Sequence, residues 1–372
     1  WLKLPWPRLR TQALPRPAAP RHSGMMRAFA IPREGGVELL EEREVPLPAL
    51  RGRDILVRIA AAAMNPVDTQ VRDARGKFKP KDAPGEEYPE GKILGYDGAG
   101  VVERLGAEAS TFQVGDRVYF SGDIHRNGSN ADCVAVDERI VARMPSTLSF
   151  AEAAAVPLTM LTAWEGLFES MRVDPTDPAQ RGKRLLVLPG AGGVGTWVIQ
   201  LAKRVADLHV IATASRPESA AKARELGADV VVNHRERLLP QLEAAGVAGV
   251  DYIYDGYGLA TYGDQYAEVI RPFGQIVTIV PDFSHAMPAS ATVPLTFKRA
   301  SIHFELIFTR AAEGIEMERQ HDILATAARL IDQGELKVSI QEVLGWSVES
   351  LQQAHRLQQS GKAVGKIVLA RE

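Results

Sequence analysis

The sequence predicts an α/β protein of two parts, a doubly wound parallel sheet and a β-rich barrel. Three observations carry that reading. The run Leu185-Leu186-Val187-Leu188 leads into Gly190-Ala191-Gly192-Gly193-Val194-Gly195 and then into Thr196-Trp197-Val198-Ile199-Gln200-Leu201-Ala202, which is the order strand, glycine turn, helix. Downstream of it, short apolar runs alternate with helix-period segments, and that alternation specifies parallel strands joined by helices. Upstream, from Met26 to about Arg143, short apolar runs sit between glycine- and proline-marked turns, as in a small irregular barrel.

Bulk properties set the outer limits. A chain of 372 residues fits two domains. Apolar residues at 45% and charged residues at 24% are an ordinary globular composition. A net charge of −2 gives no electrostatic reason to expect nucleic acid or an anionic membrane as a partner. No apolar run approaches the ~20 residues of a membrane span. Cys133 is the only cysteine, so neither an internal disulfide nor a cysteine-built structural zinc site can form. The composition reads as cytoplasmic.

Taken in order, the elements are as follows. Residues 1–24 carry Lys3, Arg8, Arg10, Arg16 and Arg21 with no acid, a balance seen in transit peptides. Five prolines in the same stretch oppose the amphipathic helix such a peptide needs, so a disordered extension before Met25 or Met26 is expected. Representative barrel strands are 55–59, 100–103 and 116–120. The charged, proline-bearing stretch 73–92 reads as an exposed loop of the length that lids have. Ser149-Phe150-Ala151-Glu152 matches a capping box and opens a helical stretch. The nucleotide-binding half then has strands over 185–188, 210–214, 230–232, 252–254 and 276–280, and helices over about 194–205, 218–226 and 262–270. Residues 302–308 supply a sixth strand, at a sheet edge that invites pairing with a second copy, so a homodimer is expected. Ile323, Leu324, Ala327, Leu330 and Ile331 recur at helical spacing before a Gly334 cap. A helix near 348–359 and a strand over 367–369 close the chain, the strand returning to the barrel. The domains are thus 25–148 with 313–372, and 149–312.

The glycine turn points to a Rossmann-type dinucleotide site. Gly190 makes the tight turn, Gly192 lets the backbone approach a pyrophosphate, and Gly195 lets helix and strand pack closely. Gly193 and Val194 then open the helix whose free N–H groups and positive end receive the phosphates. An NAD site of this kind wants an acid at the end of the second strand, and here that strand ends Thr213-Ala214-Ser215-Arg216. A hydroxyl and a guanidinium suit a 2′-phosphate, so NADPH is the expected cofactor. The competing reading has Arg216 solvated and Ser215 capping the helix that starts at Pro217.

Several stretches of the chain resemble the medium-chain dehydrogenase/reductase superfamily, and in particular its zinc-free quinone oxidoreductase branch and the proteins labelled zinc-type alcohol dehydrogenase-like. They are Met64-Asn65-Pro66-Val67-Asp68, Ile93-Leu94-Gly95-Tyr96-Asp97-Gly98-Ala99-Gly100, Pro157-Leu158-Thr159, Leu161-Thr162-Ala163-Trp164-Glu165, Ala212-Thr213-Ala214-Ser215-Arg216-Pro217-Glu218 and Phe308-Thr309-Arg310. The resemblance runs from about Met26 to the C-terminus and implies a GroES-like barrel beside the Rossmann sheet. Zinc-dependent relatives carry a cysteine in the first block and His-Glu after the glycine of the second. This chain has Met64-Asn65 and Tyr96-Asp97 there, so no metal is expected.

The resemblance also implies an activity, NADPH-dependent reduction of quinones or α,β-unsaturated ketones and aldehydes. Such acceptors take hydride without a Lewis acid. It places Asn65 and Asp68 near the nicotinamide ribose and substrate, with a plain turn as the alternative. Thr162 comes close to the nicotinamide, or is only a helix-interior residue. Tyr96 is a candidate proton donor or a buried structural tyrosine. Asp97 is expected to pair with an arginine. His234 is expected at the adenosine end and Lys366 at the pyrophosphate, each with a surface role as the alternative. Phe304 and Phe308 read as core or interface residues. Two other functions stay open at this point, a non-catalytic NADPH-binding protein and a carrier-linked enoyl reductase.

Overall fold

The computed structural model describes residues 24–73, 87–280 and 287–371. The expected extension 1–24 lies outside them except for Gly24, and so does most of the expected loop 73–92. The end of that stretch is not loop: Glu87–Ile93 is a strand, antiparallel to Met25–Arg33.

Among the described residues the nucleotide-binding half is one six-stranded sheet, parallel throughout. Its order is Val230–Val232, His209–Thr213, Arg184–Leu188, Val250–Asp255, Ile270–Thr278, Ser301–Phe304. In chain order that is 3-2-1-4-5-6, so the winding reverses between the first and fourth strands and opens a crevice at their C-terminal ends. Strand alternation supplies both faces. Leu185 and Val187 enter a core with Trp197 and Val198, while Leu186 and Leu188 enter a second core with Tyr266 and Leu295.

Among the described residues the barrel half has a three-stranded sheet, ordered Glu41–Pro46, Met25–Arg33, Glu87–Ile93, and a seven-stranded sheet built around Asp54–Ala63. That strand pairs antiparallel with Asp97–Leu105, with Cys133–Asp137 and with the C-terminal Lys366–Ala370. The expected return of the tail to the barrel is therefore observed. The helix Glu318–Asp332 lies across the junction of the two halves. Tyr119 donates to its Leu324 carbonyl at 2.6 Å, and Leu324 and Ala327 join the Trp197 core.

The helical stretch opens at Ser149, whose hydroxyl accepts from Glu152 N–H while Glu152 accepts from Ser149 N–H. The helix expected over 194–205 is α-helical over Gly193–Gln200 and continues through a π-turn over Leu201–Val205. Three local readings need correction. The sixth strand stops at Phe304, and Phe308 begins a helix, Phe308–Glu313. Helices Leu238–Ala244 and Ala289–Phe297 carry Pro240 and Pro294, which mask them in the sequence. The helix Pro217–Leu226 has Arg216 as its N-cap rather than Ser215.

His355, on the helix Val348–Gln359, is fully buried, and neither ring nitrogen has a partner. Burial first, and Arg72 second, hold its imidazole down to about 3. The unfolded chain takes up a proton below about pH 6.5, whereas the folded protein does not until about 3. Stability is thus full above pH 6.5 and falls as the pH drops. At pH 5 the expected loss is about 2 kcal/mol relative to pH 7.5. Denaturant unfolding of the native protein and of His355→Leu checks this; an equal pH loss in both would remove His355 as the cause.

Candidate active site

The glycines of the turn are required by close approach, since none of them has a left-handed backbone. A Cβ on Gly195 would stand 2.0 Å from the Pro189 carbonyl oxygen, and one on Gly190 would stand 2.7 Å from the Ala212 Cβ. Gly192 is the N-cap of the following helix, and a Cβ there would come no closer than 3.3 Å, to the Pro189 ring. So Gly190 and Gly195 hold strand and helix together, while Gly192 keeps the mouth of the turn clear.

A cavity of about 280 Å³ opens on this turn. Gly192, Gly193, Val194 and Gly195 form one wall, Tyr254, Gly256 and Tyr257 another, and Met64, Asn65, Leu158 and Thr159 the third. It lies at the strand ends where the winding reverses, the place expected for a ligand in such a sheet. Among the described residues, Lys366 is the one formally charged residue of its lining.

That charge is spent inside the protein. Lys366 is 4% exposed, and its Nζ donates to the Met64 carbonyl at 2.7 Å, to Asn65 Oδ1 at 2.5 Å and to Asp97 Oδ2 at 2.9 Å. Two corrections follow. Asp97 pairs with a lysine rather than an arginine, and the Lys366 ammonium is committed to the barrel segments rather than to a pyrophosphate. Asp97 also accepts from Asn65 Nδ2 and from Leu158 N–H, at 2.8 and 2.7 Å. The Asn65 amide is therefore engaged at both ends. Asp68 sits behind it, fully buried, accepting from Asn65 N–H and Gly95 N–H. Burial holds its carboxyl up at about 7, against the two amide bonds and Lys366.

Tyr96 is fully buried outside the cavity lining, edge-on to the ring of Phe308, with no hydrogen-bond partner for its hydroxyl. Thr162 is buried as well. Its hydroxyl donates to the Leu158 carbonyl, and its own carbonyl accepts from Tyr254 at 2.6 Å. His234 stands one residue behind the wall, with Nε2 3.1 Å from the Tyr257 hydroxyl. Burial, then Arg235, keeps its imidazole below the usual range. Arg216 donates to the Lys362 carbonyl at 2.7 Å and pairs with Glu218, so it too lies outside the lining. Ser215 is its neighbour. The structure thus brings Asn65, Lys366 and the glycine turn to one cavity, whereas Asp68, Tyr96, Thr162, His234, Ser215 and Arg216 are not among the residues that line it.

The sequence is 35% identical to a zinc-type alcohol dehydrogenase-like protein of Staphylococcus aureus, over 90% of this chain and 96% of that protein. The chain belongs to the medium-chain dehydrogenase/reductase family. Within this family it falls in the quinone oxidoreductase branch. Residues 51–165 match the alcohol dehydrogenase GroES-like domain and residues 226–369 the zinc-binding dehydrogenase domain. A 2-methylene-furan-3-one reductase of Solanum lycopersicum is 32% identical over 92% of this chain and 79% of that protein. An NADPH-dependent alkenal/one oxidoreductase of Arabidopsis thaliana chloroplasts is 34% identical over 68% and 62%. Among solved structures, a protein assigned as a zinc-dependent alcohol dehydrogenase from Rhizobium etli CFN 42 superposes with a TM-score of 0.84 at 37% identity, covering 93% of this chain and 98% of that one. A quinone oxidoreductase of Coxiella burnetii gives 0.75 at 26%, covering 93% and 99%.

Zinc appears in three of these names, and the residues here do not fit it. Among the described residues no group of three His, Cys, Asp or Glu is placed to hold a metal ion. The carboxylate of Asp97 is already taken by Lys366, Asn65 and Leu158. A dinucleotide does fit, because the turn is cleared for one by Gly192 and faces the cavity. None of the described helices is long and apolar enough to cross a membrane.

Two glycine variants separate the two roles of the turn. Gly195→Ala should lose about 1–3 kcal/mol of stability, because its Cβ meets a carbonyl that cannot withdraw. Gly192→Ala should melt close to the native protein yet bind dinucleotide more weakly. Thermal unfolding and fluorescence titration read the two effects; equal melting temperatures for both variants would refute the assignment.

Proposed function

We propose that the protein is an NADPH-dependent reductase of quinones or α,β-unsaturated carbonyls that works without a metal. The observation that carries this is the cavity lining, in which the one charged residue among those described has its ammonium consumed by Asn65, Asp97 and Met64. With no free cation among the described lining residues to polarise a simple carbonyl or alcohol, the site favours an acceptor that is electron-poor in itself. The names of the tomato and Arabidopsis relatives support the same acceptor class.

NADPH, when bound, supplies the hydride. The other duties fall to residues of the chain. Gly192 to Gly195 would hold the pyrophosphate at the helix N-terminus, and Ser215 with Arg216 would hold the 2′-phosphate. Tyr257, backed by His234, forms the neighbouring wall. Thr162 fixes Tyr254 through its carbonyl and so shapes the cavity floor. Asn65 and Leu158, held by Asp97, set the acceptor side. Tyr96 is the candidate proton donor to the product. Its hydroxyl is unpartnered, and burial, with Asp68 next, keeps it protonated well above the ordinary range. Residues 25–148 with 313–372 form the catalytic domain in this reading, and 149–312 the nucleotide domain. The strand Ser301–Phe304, whose outer edge pairs with nothing among the described residues and carries Phe304 at 77% exposure, would join two copies into a homodimer.

NADPH oxidation measured against a panel of quinones, enals and enones tests the activity; oxidation of a simple alcohol with stoichiometric zinc would overturn it. Arg216→Ala should weaken NADPH by about 2 kcal/mol and leave NADH nearly unchanged. Equal losses for both would end the phosphate assignment. The rate should also rise with pH through about 7, as Asp68 ionises and accepts both of its amide bonds fully. In Asp68→Asn that limb should vanish from the pH–rate profile.

A further inference from the structure

Lys366 occupies a position that its expected role does not explain. Its side chain runs beneath the start of the nucleotide helix, where a Cβ on Gly193 would touch Lys366 Cδ at 3.3 Å. Next to it, Gly365 N–H donates to the Ala191 carbonyl within the glycine turn. Its ammonium then ends on both of the barrel segments that carry ligands in zinc-dependent relatives, at the Met64 carbonyl and Asn65 on one and at Asp97 on the other. Asp97 extends the connection to Leu158, at the start of the helix on the third cavity wall.

We propose that Lys366 is a positioning residue for hydride transfer, a buried cation that cross-links the two barrel segments and ties them to the glycine turn, so fixing the separation of nucleotide and acceptor. The proposal rests on the reductase reading for its kinetic consequence. All three ammonium protons are used within the protein, so the residue acts through the segments it holds. A cation at this point does the cross-linking that a metal does elsewhere, but without an open coordination position for substrate. Its value is geometric, because hydride transfer is steep in the distance between the reacting atoms.

The test is Lys366→Met together with the double variant Lys366→Met/Asp97→Asn, which leaves no unpaired charge behind and keeps the question open if the single variant does not fold. In the folded variant, NADPH affinity by fluorescence titration should stay within about threefold, while kcat on the best acceptor of the panel falls about 100-fold with little change in KM. Amide exchange at Gly365 and Leu158 should accelerate, since both bonds depend on the cross-link. A loss of NADPH affinity in step with kcat would make Lys366 a phosphate contact and overturn the proposal. Unchanged kcat, or unchanged exchange at both amides, would overturn it as well. A native protein that reduces nothing defeats the reductase reading alone; the exchange measurement then still decides whether the clamp exists.

Discussion

Asp97 is buried beyond the reach of water, so every donor that satisfies it must be brought by the chain itself. Three are: the Leu158 amide, the Asn65 side chain and the Lys366 ammonium. A carboxylate in that setting is tolerable only when its oxygens are fully bonded. The requirement draws together the end of the first long barrel strand, the start of the second, a helix of the nucleotide half and the final strand. The cavity is what remains between these segments once the carboxylate is satisfied.

The same economy determines the chemistry available. Charges near the cavity are neutralised within the protein, Lys366 by Asp97 and Asn65, and Asp68 by the two backbone amides of Asn65 and Gly95. The described cavity wall is mostly glycine backbone, aliphatic side chains and tyrosine, with Asn65, Thr159, Gln358 and Lys366 as its other polar members. Such a site can align two reactants and exclude water, and it can offer hydrogen bonds at its margin. Among the described residues of the lining, none presents a free cation to a reactant. The selectivity of the protein for its acceptor is therefore set as much by what the acceptor brings as by what the site presents.

Local pattern accounts for much of the fold. The strand before Gly190, the capping box at Ser149 and the alternation of apolar segments after Leu185 are all short-range features, and each reappears in the structure. The metal positions were equally legible, because a cysteine or histidine that is missing from a sequence cannot be restored by folding. What sequence could not supply was pairing across distance. The partner of Asp97 lies 269 positions away, and nothing local distinguishes Lys366 from a surface lysine. The helices that carry Pro240 and Pro294 were hidden because tertiary packing there outweighs the proline penalty. The edge strand was drawn too long because Ile307 and Phe308 are apolar for another reason, their burial in the core that also holds Tyr96.

The strand that completes the barrel lies far along the chain from the strand it joins. Lys366–Ala370 lies beside Asp54–Ala63, and its lysine reaches a carbonyl 302 positions earlier. During synthesis the Met64 segment therefore waits 302 positions for its lysine, whereas the six parallel strands between them emerge as one uninterrupted stretch. Domains commonly mature in the order of synthesis. Here the order is inverted: the stretch between them encodes a unit able to fold first, and the earlier barrel strands wait for Lys366–Ala370. Chaperone demand during translation is then greatest for the barrel half.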